Sequence, residues 1–258
     1  MHDLNLDEIK SLVSGREPIL LLLDFDGTLS EIAPRPEQAT LCPGNEMLLC
    51  QLADRPEFVV GVISGRSLQD VEARVNVPGL VYAGNHGLEI RGLGLDYRHP
   101  DADAASRTIS QASHDLELRL AGVPGAFVEN KTYTLTTHFR QTPPYYHDQV
   151  VSTFDDIAHP LIQSGSCHVT EAKMALELRP SIDWNKGRAL TLIRSRLSPE
   201  SFPIYMGDDA TDEDAFGAVR SAGGVGIYVG PSGVSTCATW RLSSPGEVSA
   251  ALVELVTL

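Results

Sequence analysis

Asp24 and Asp26 stand one residue apart in Asp24-Phe25-Asp26-Gly27-Thr28 and are the first side chains here suited to chemistry. In extended backbone the side-chain period is two, so both carboxylates can face one spot. Two acids so placed repel each other unless a cation or a shared proton lies between them. Their oxygens suit Mg²⁺, a hard ion that keeps several waters and often bridges to substrate phosphate. Gly27 permits a sharp turn, and Thr28 adds a hydroxyl and an amide at its mouth. A calcium loop would instead need a preceding helix and a further ligand where Thr28 stands. The apolar run Ile19–Leu23 reads as a strand, which argues against the calcium reading.

Three other places offer matching chemistry. Ser64, in Ile63-Ser64-Gly65-Arg66, ends an apolar run just before a helical pattern, where free backbone amides favour phosphate. Taken alone it is an ordinary turn serine. Lys186 opens a helix at Asn185-Lys186-Gly187, and a lone lysine there is ordinarily surface charge. Between two acidic strand ends it can neutralise phosphate. Gly207-Asp208-Asp209 and Asp212 follow another apolar run and bring more acids to the same edge.

The elements that must position these groups alternate. Helix is expected over 3–15, buried strand over Ile19–Leu23, helix over Asn45–Leu52, strand over Phe58–Ile63, helix over Ser67–Val75 and strand over Leu80–Ala83. Polar groups recur at the strands' carboxyl ends, His86 among them, and open parallel sheets bind ligands on that edge. The pattern then changes to a long helix over 101–121, short strands at Phe127–Lys131 and Tyr133–Phe139, a helix following Pro143-Pro144 as far as about Ile162, and a hairpin of Cys167–Thr170 and Met174–Leu178. That block reads as an α+β insert. The first pattern resumes with a helix from Asn185, a strand over Pro203–Met206, a helix over Asp214–Val219, a strand over Gly226–Val229 and a closing helix over Pro245–Val256. The expectation is an α/β fold, a Rossmann-like doubly wound parallel sheet formed by 1–94 and 181–258, with an α+β domain inserted at 95–180.

The 258 residues can bury a substantial core, and 42% hydrophobic with 21% charged residues is ordinary for a globular protein. A net charge of −14 argues against a nucleic-acid or anionic-membrane surface. It does not exclude an anionic substrate, since a metal and a few local cations can reverse the sign in a pocket. Cys42, Cys50, Cys167 and Cys237 lack metal-site or disulfide-framework spacing. The first twenty residues lack the apolar stretch of a signal peptide, so a cytoplasmic protein is expected.

Acids, hydroxyl, lysine and acids thus occur in one order, and in that order the chain resembles the haloacid dehalogenase superfamily of aspartyl-phosphate phosphatases. Its four motifs match Asp24-x-Asp26-Gly27-Thr28, Ser64, Lys186 and Asp208-Asp209, with the insert where a large cap stands in that superfamily. Within it the chain resembles the trehalose-6-phosphate phosphatase family. That match rests on Ile63-Ser64-Gly65-Arg66, Gly84-Asn85-His86-Gly87-Leu88-Glu89, Val128-Glu129-Asn130-Lys131, His138-Phe139-Arg140, Glu177-Leu178-Arg179-Pro180, Asn185-Lys186-Gly187 and Gly207-Asp208-Asp209-x-Thr211-Asp212-Glu213. One departure is Ala172 before Lys173, where the family often has Gly.

The resemblance implies a Mg²⁺-dependent phosphatase acting on trehalose 6-phosphate. Asp24 would be the nucleophile and Asp26 the general acid and base. Asp24, the Asp26 backbone carbonyl and Asp208 would hold Mg²⁺, with Asp209 and Asp212 acting at one remove or through water. Thr28, Ser64 and Lys186 would grip phosphate. Arg66, Asn85 and His86 from the core, and Glu129, Lys131, Arg140, Lys173 and Glu177 from a lid-like insert, would select the sugar. Functional coupling to a trehalose-6-phosphate synthase is also implied. The same core motifs would serve another sugar phosphate, such as sucrose 6-phosphate or mannosyl-3-phosphoglycerate, and the match to a phosphohexomutase cap is poorer. A phospho-accepting signalling domain is about half this length and lacks the insert. A non-catalytic partner of a sugar-phosphate synthase would not need every motif acid intact.

Overall fold

The computed structural model describes every residue but Lys173, and of Asp7, Glu171 and Ala172 it describes the backbone alone. In chain order, β1 (His2–Asp3), α1 (Leu6–Val13) and β2 (Ile19–Leu23) lead into α2 (Asn45–Ala53), β3 (Phe58–Ile63), α3 (Leu68–Val75) and β4 (Val81–Gly84). Two more strands follow, β5 (Glu89–Gly92) and β6 (Leu95–Arg98). Next come α4 (Ala102–Leu120), β7 (Phe127–Asn130), β8 (Leu135–His138), α5 (His147–Gln163), β9 (Cys167–Ala172) and β10 (Ala175–Pro180). The chain ends with α6 (Lys186–Leu197), β11 (Phe202–Gly207), α7 (Glu213–Ser221), β12 (Val225–Val229), β13 (Trp240–Leu242) and α8 (Pro245–Val256).

The larger of two compact units comprises Met1–Tyr97 and Trp184–Leu258. Its sheet runs β1-β13-β12-β11-β2-β3-β4-β5-β6, and the strands from β1 to β4 are parallel. From central β2 the chain proceeds through β3 and β4 to one side, and later through β11, β12 and β13 to the other. The gap between β2 and β11 is therefore the topological switch point, where such sheets leave a crevice at the strands' carboxyl ends. The apolar run of β2 is dictated by this position. Leu21 and Leu23 pack into one core with α1, α2, α3 and α8, while Leu20 and Leu22 pack into a second core with α6 and α7. With both faces covered, an alternating strand would bury polar groups at a cost.

The smaller unit, Arg98–Asp183, packs α4 and α5 on one face of an antiparallel sheet ordered β7-β8-β10-β9. Leu135, Leu176, Leu178 and Cys167 face these helices with Val128 and Val169. The opposite face carries the alternate residues, so Glu129, Thr136, Glu177 and Thr170 lie in one row across the four strands.

The fold is the α/β class expected, and the differences are local. The units divide at Tyr97/Arg98 and Asp183/Trp184 rather than at 94/95 and 180/181. At the first division the reason is β6, whose residues Leu95–Tyr97 lie in the larger unit and whose strand joins the larger sheet. The helix expected to follow Pro143-Pro144 is preceded by a 3₁₀ turn over Pro144–Tyr146, and α5 itself starts at His147. The Lys173 tip expected for the last hairpin lies outside the described residues.

Candidate active site

Asp24 leaves the carboxyl end of β2 with its amide donating to the Met206 carbonyl of β11 at 2.8 Å, which fixes it at the switch point. The chain then doubles back, the Leu29 and Ser30 amides both donating to the Phe25 carbonyl at 2.9 Å. Gly27 makes this turn possible, with φ +78 in the left-handed region. A Cβ there would lie 2.0 Å from Asp208 Oδ2. The β2 turn and the β11 end therefore approach so closely that a side chain at position 27 would have to displace the Asp208 carboxylate.

Lys186 reaches the same place from the first turn of α6. Asn185 caps that helix, its side chain accepting from the Arg188 amide at 2.9 Å. The Lys186 ammonium, 2% exposed, donates to Asp24 Oδ1 at 3.0 Å and to Asp212 Oδ1 at 2.7 Å. Asp212 is fully enclosed and saturated. Its Oδ1 also accepts from the Tyr205 hydroxyl at 2.6 Å, and its Oδ2 accepts the Asp208 and Asp209 amides, each at 3.0 Å. Gly207 permits this return, because a Cβ there would meet the Asp212 carboxyl carbon at 2.3 Å. Tyr205 is a member of this network that the sequence did not single out, since within the apolar run of β11 it looks like any core aromatic.

Carboxyl groups outnumber cations in the cluster, and burial keeps some of them from ionising readily. Burial works against the Lys186 cation, but Asp212 and Asp24 outweigh it and hold its proton well above the ordinary lysine range. Burial pushes the Asp24 carboxyl up, and Lys186 only partly opposes this. Burial and the neighbouring Asp209 and Asp212 charges push Asp208 up to about 8. Burial also acts to raise Asp209, yet the Lys186 charge and bonds from Thr211 hold it below the ordinary value. One ammonium faces four carboxylates, so further positive charge would be stabilising.

Asp24, Asp208 and Asp212 offer oxygens that all lie within 4.8 Å of one another, a spacing that can hold a metal ion. Asp212 already receives four hydrogen bonds, so Asp24 and Asp208 are the carboxylates that suit a hard cation. Asp209 turns instead to Thr211, whose amide and hydroxyl donate to its Oδ1 at 2.8 and 2.7 Å. These acids fit Mg²⁺ by the chemistry of the donor set.

Around them stand neutral donors and one arginine. The Thr28 hydroxyl is fully buried with no hydrogen-bond partner among the described residues. Ser64 is buried at the end of β3, and its hydroxyl accepts the Arg66 amide at 3.2 Å. The segments after β3 and β4 are stitched together. The Asn85 amide donates to the Arg66 carbonyl at 2.6 Å and the His86 amide to the Ser64 carbonyl at 2.9 Å, both residues in the left-handed region. Gly65 leaves room for the His86 ring, which a Cβ would approach to 2.9 Å. Arg66 takes both Asp26 oxygens, Nε donating to Oδ2 and Nη2 to Oδ1 at 2.7 Å each.

In the smaller unit, the polar sheet face carries an ion pair and a histidine–carboxylate hydrogen bond among the described residues. Lys131 donates to Glu177 Oε1 at 3.1 Å, and Thr134 adds a bond to the same oxygen at 3.2 Å. His138 Nε2 donates to Glu129 Oε2 at 2.8 Å. Arg140 is exposed beyond the end of β8, and Lys173 lies outside the described residues. No helix among the described residues is long and apolar enough to cross a membrane.

A doubly wound sheet with aspartates at its β2/β11 switch point, a lysine from α6, the helix that leads into β11, and an α+β insert defines a haloacid-dehalogenase-type fold. Residues 22–245 match the model of the trehalose-phosphatase family, and the chain belongs to that family. A Mycobacterium tuberculosis protein named as an uncharacterized glycosyl hydrolase is 40% identical over 258 residues, covering 96% of this chain and 19% of that protein. The trehalose-phosphate phosphatase of Mycobacterium marinum is 38% identical over 237 residues, covering 89% of this chain and 59% of that one. The chain thus spans from about a fifth to about three fifths of these relatives. The C-terminal domain of C. albicans trehalose-6-phosphate phosphatase superposes with a TM-score of 0.86, covering 100% of this chain and 98% of that domain, and at 22% identity it shares the fold.

Proposed function

We propose that this chain hydrolyses trehalose 6-phosphate to trehalose and phosphate through an aspartyl-phosphate on Asp24. The observation that carries the reading is the buried Lys186 ammonium on Asp24 Oδ1, with Asp208 beside it and the unpartnered Thr28 hydroxyl in the same turn. Lys186 fixes one Asp24 oxygen, and Oδ2 is the atom that attacks. As the Asp24–phosphorus bond forms, the bond from phosphorus to the sugar oxygen breaks, and Asp26 gives that oxygen its proton. Water then attacks phosphorus, Asp26 takes a proton from it, and the Asp24 carboxylate is released with phosphate. Thr28, Ser64 and Lys186 stabilise the phosphoryl oxygens as charge shifts among them. Mg²⁺ on Asp24, the Asp26 carbonyl and Asp208 would supply the positive charge that lets an anionic nucleophile approach a phosphate.

The preference for a disaccharide is assigned to Glu129, Lys131, Arg140, Lys173 and Glu177, with Asn85 and His86. The support is the family membership and the row of paired acids on the smaller unit's polar face. In the same reading the substrate comes from a trehalose-6-phosphate synthase, and the two activities are functionally coupled. Phosphate release measured across a panel of sugar phosphates, with Mg²⁺ and with EDTA, tests the whole reading. The expected outcome is strong preference for trehalose 6-phosphate, abolished by EDTA. Equal rates across the panel would remove the disaccharide assignment, and full activity in EDTA would remove the metal.

A further inference from the structure

Arg66 is buried at 5% exposure, yet the groups around it are not those of a sugar-binding arginine. Besides the two bonds to Asp26, its Nη1 donates to Asp70 Oδ2 at 2.6 Å and its Nη2 to the Pro36 carbonyl at 2.9 Å. Four bonds occupy a guanidinium that has five N–H donors. Asp70 is itself fixed from the other side by Arg74 Nε, at 2.8 and 2.9 Å. Arg74 Nη1 in turn donates to the Ala39 carbonyl at 2.7 Å and the Glu37 carbonyl at 3.2 Å. The two arginines thus tie the Asp26 carboxylate, the first turn of α3 and the Pro36–Ala39 segment into one frame. Asp26 needs such a frame, because its own side chain is 42% exposed and no other side-chain partner is described for it.

We infer that Arg66 is a positioning residue that sets the Asp26 carboxylate for proton transfer to the leaving oxygen, and not a sugar ligand. The inference rests on the proposed phosphatase reading. A planar fork bridges both carboxylate oxygens and so fixes a rotamer, which a lysine ammonium cannot do as a point charge. Arg66→Lys therefore keeps the charge and loses the orientation.

The test is kcat/KM over a series of aryl phosphates from 4-nitrophenyl to phenyl phosphate. These carry no sugar and differ in how much they need a proton on departure. Arg66→Lys is expected to lose at least about tenfold more on phenyl than on 4-nitrophenyl phosphate, within the usual contribution of general acid catalysis. On trehalose 6-phosphate the loss falls in kcat, with KM changed by no more than about twofold. Equal losses along the aryl series, or a loss confined to the KM for the sugar phosphate, overturn the inference. If Arg66→Lys does not fold, Asp70→Asn removes one support of the guanidinium from a partly exposed site. A steepened leaving-group dependence in that variant supports the inference, and an unchanged one overturns it. Wild-type protein inactive on every phosphate ester would sink the phosphatase reading itself, which separates that failure from this one.

Discussion

At the scale of single residues, the site is set as much by what is absent as by what reacts. Gly27 is the clearest case: it takes a left-handed φ, and a methyl group there would come within 2.0 Å of the Asp208 carboxylate. Gly27→Ala should cost about 1–3 kcal/mol through the backbone conformation alone. It should also push Asp208 away from Asp24 and sharply raise the Mg²⁺ concentration needed for activity. Denaturant unfolding and a Mg²⁺ titration of turnover check the two effects separately, and an unchanged Mg²⁺ dependence would take Asp208 out of the metal site. Residue types made Asp24, Asp26, Ser64, Lys186 and Asp208 legible as a set, because each ends a strand or opens a helix. The pairing of Arg66 with Asp26 was not legible, since forty residues separate them and only the adjacency of β2 and β3 brings them together.

At the scale of elements, legibility followed burial. The run Ile19–Leu23 is wholly buried and Phe58–Ile63 nearly so, and the observed strands have those bounds. α8 follows the expected Pro245–Val256, its first turn preset by proline. The two short strands at one end of the larger sheet are not legible in the sequence. β1 has two residues and β13 three, and neither contains an apolar run that would mark it. They form because β12 leaves an edge for Trp240–Leu242, which in turn takes up His2 and Asp3. β6 does carry a signal of its own, the alternation Leu95-Asp96-Tyr97-Arg98. The helix dipole adds to function here, since Lys186 stands at the start of α6, where the dipole disfavours a cation. The acids of β2 and of the segment after β11 must outweigh both that and burial, which ties the lysine's charge to the fold of the sheet.

At the scale of the molecule, the acidic cluster is expected to make stability depend on pH and on added Mg²⁺. The folded Asp208 carboxyl holds its proton to about 8, against an ordinary value of 3.8. Between those values unfolding releases a proton, so stability is fully present below the lower one and is lost as pH rises toward the upper. The slope for one such group is about 1.4 kcal/mol per pH unit. In EDTA the Tm of the protein relative to Asp208→Asn should therefore fall from about pH 4 to about pH 8, and Mg²⁺ should raise Tm most at the alkaline end. A relative Tm that rises over this range in EDTA, or a Tm that ignores Mg²⁺, would show that the acids do not form a strained anionic site.

All these effects converge on Asp24, whose Oδ1 is held by Lys186 and whose Oδ2 is assigned the attack on phosphorus. The most direct measurement is to quench turnover of trehalose 6-phosphate with hydroxylamine, which converts an acyl phosphate to a hydroxamate, and to locate the modified residue by peptide mass spectrometry. The account predicts modification at Asp24, dependent on both substrate and Mg²⁺. Rapid turnover with no modified residue, or with the label on another aspartate, would contradict it.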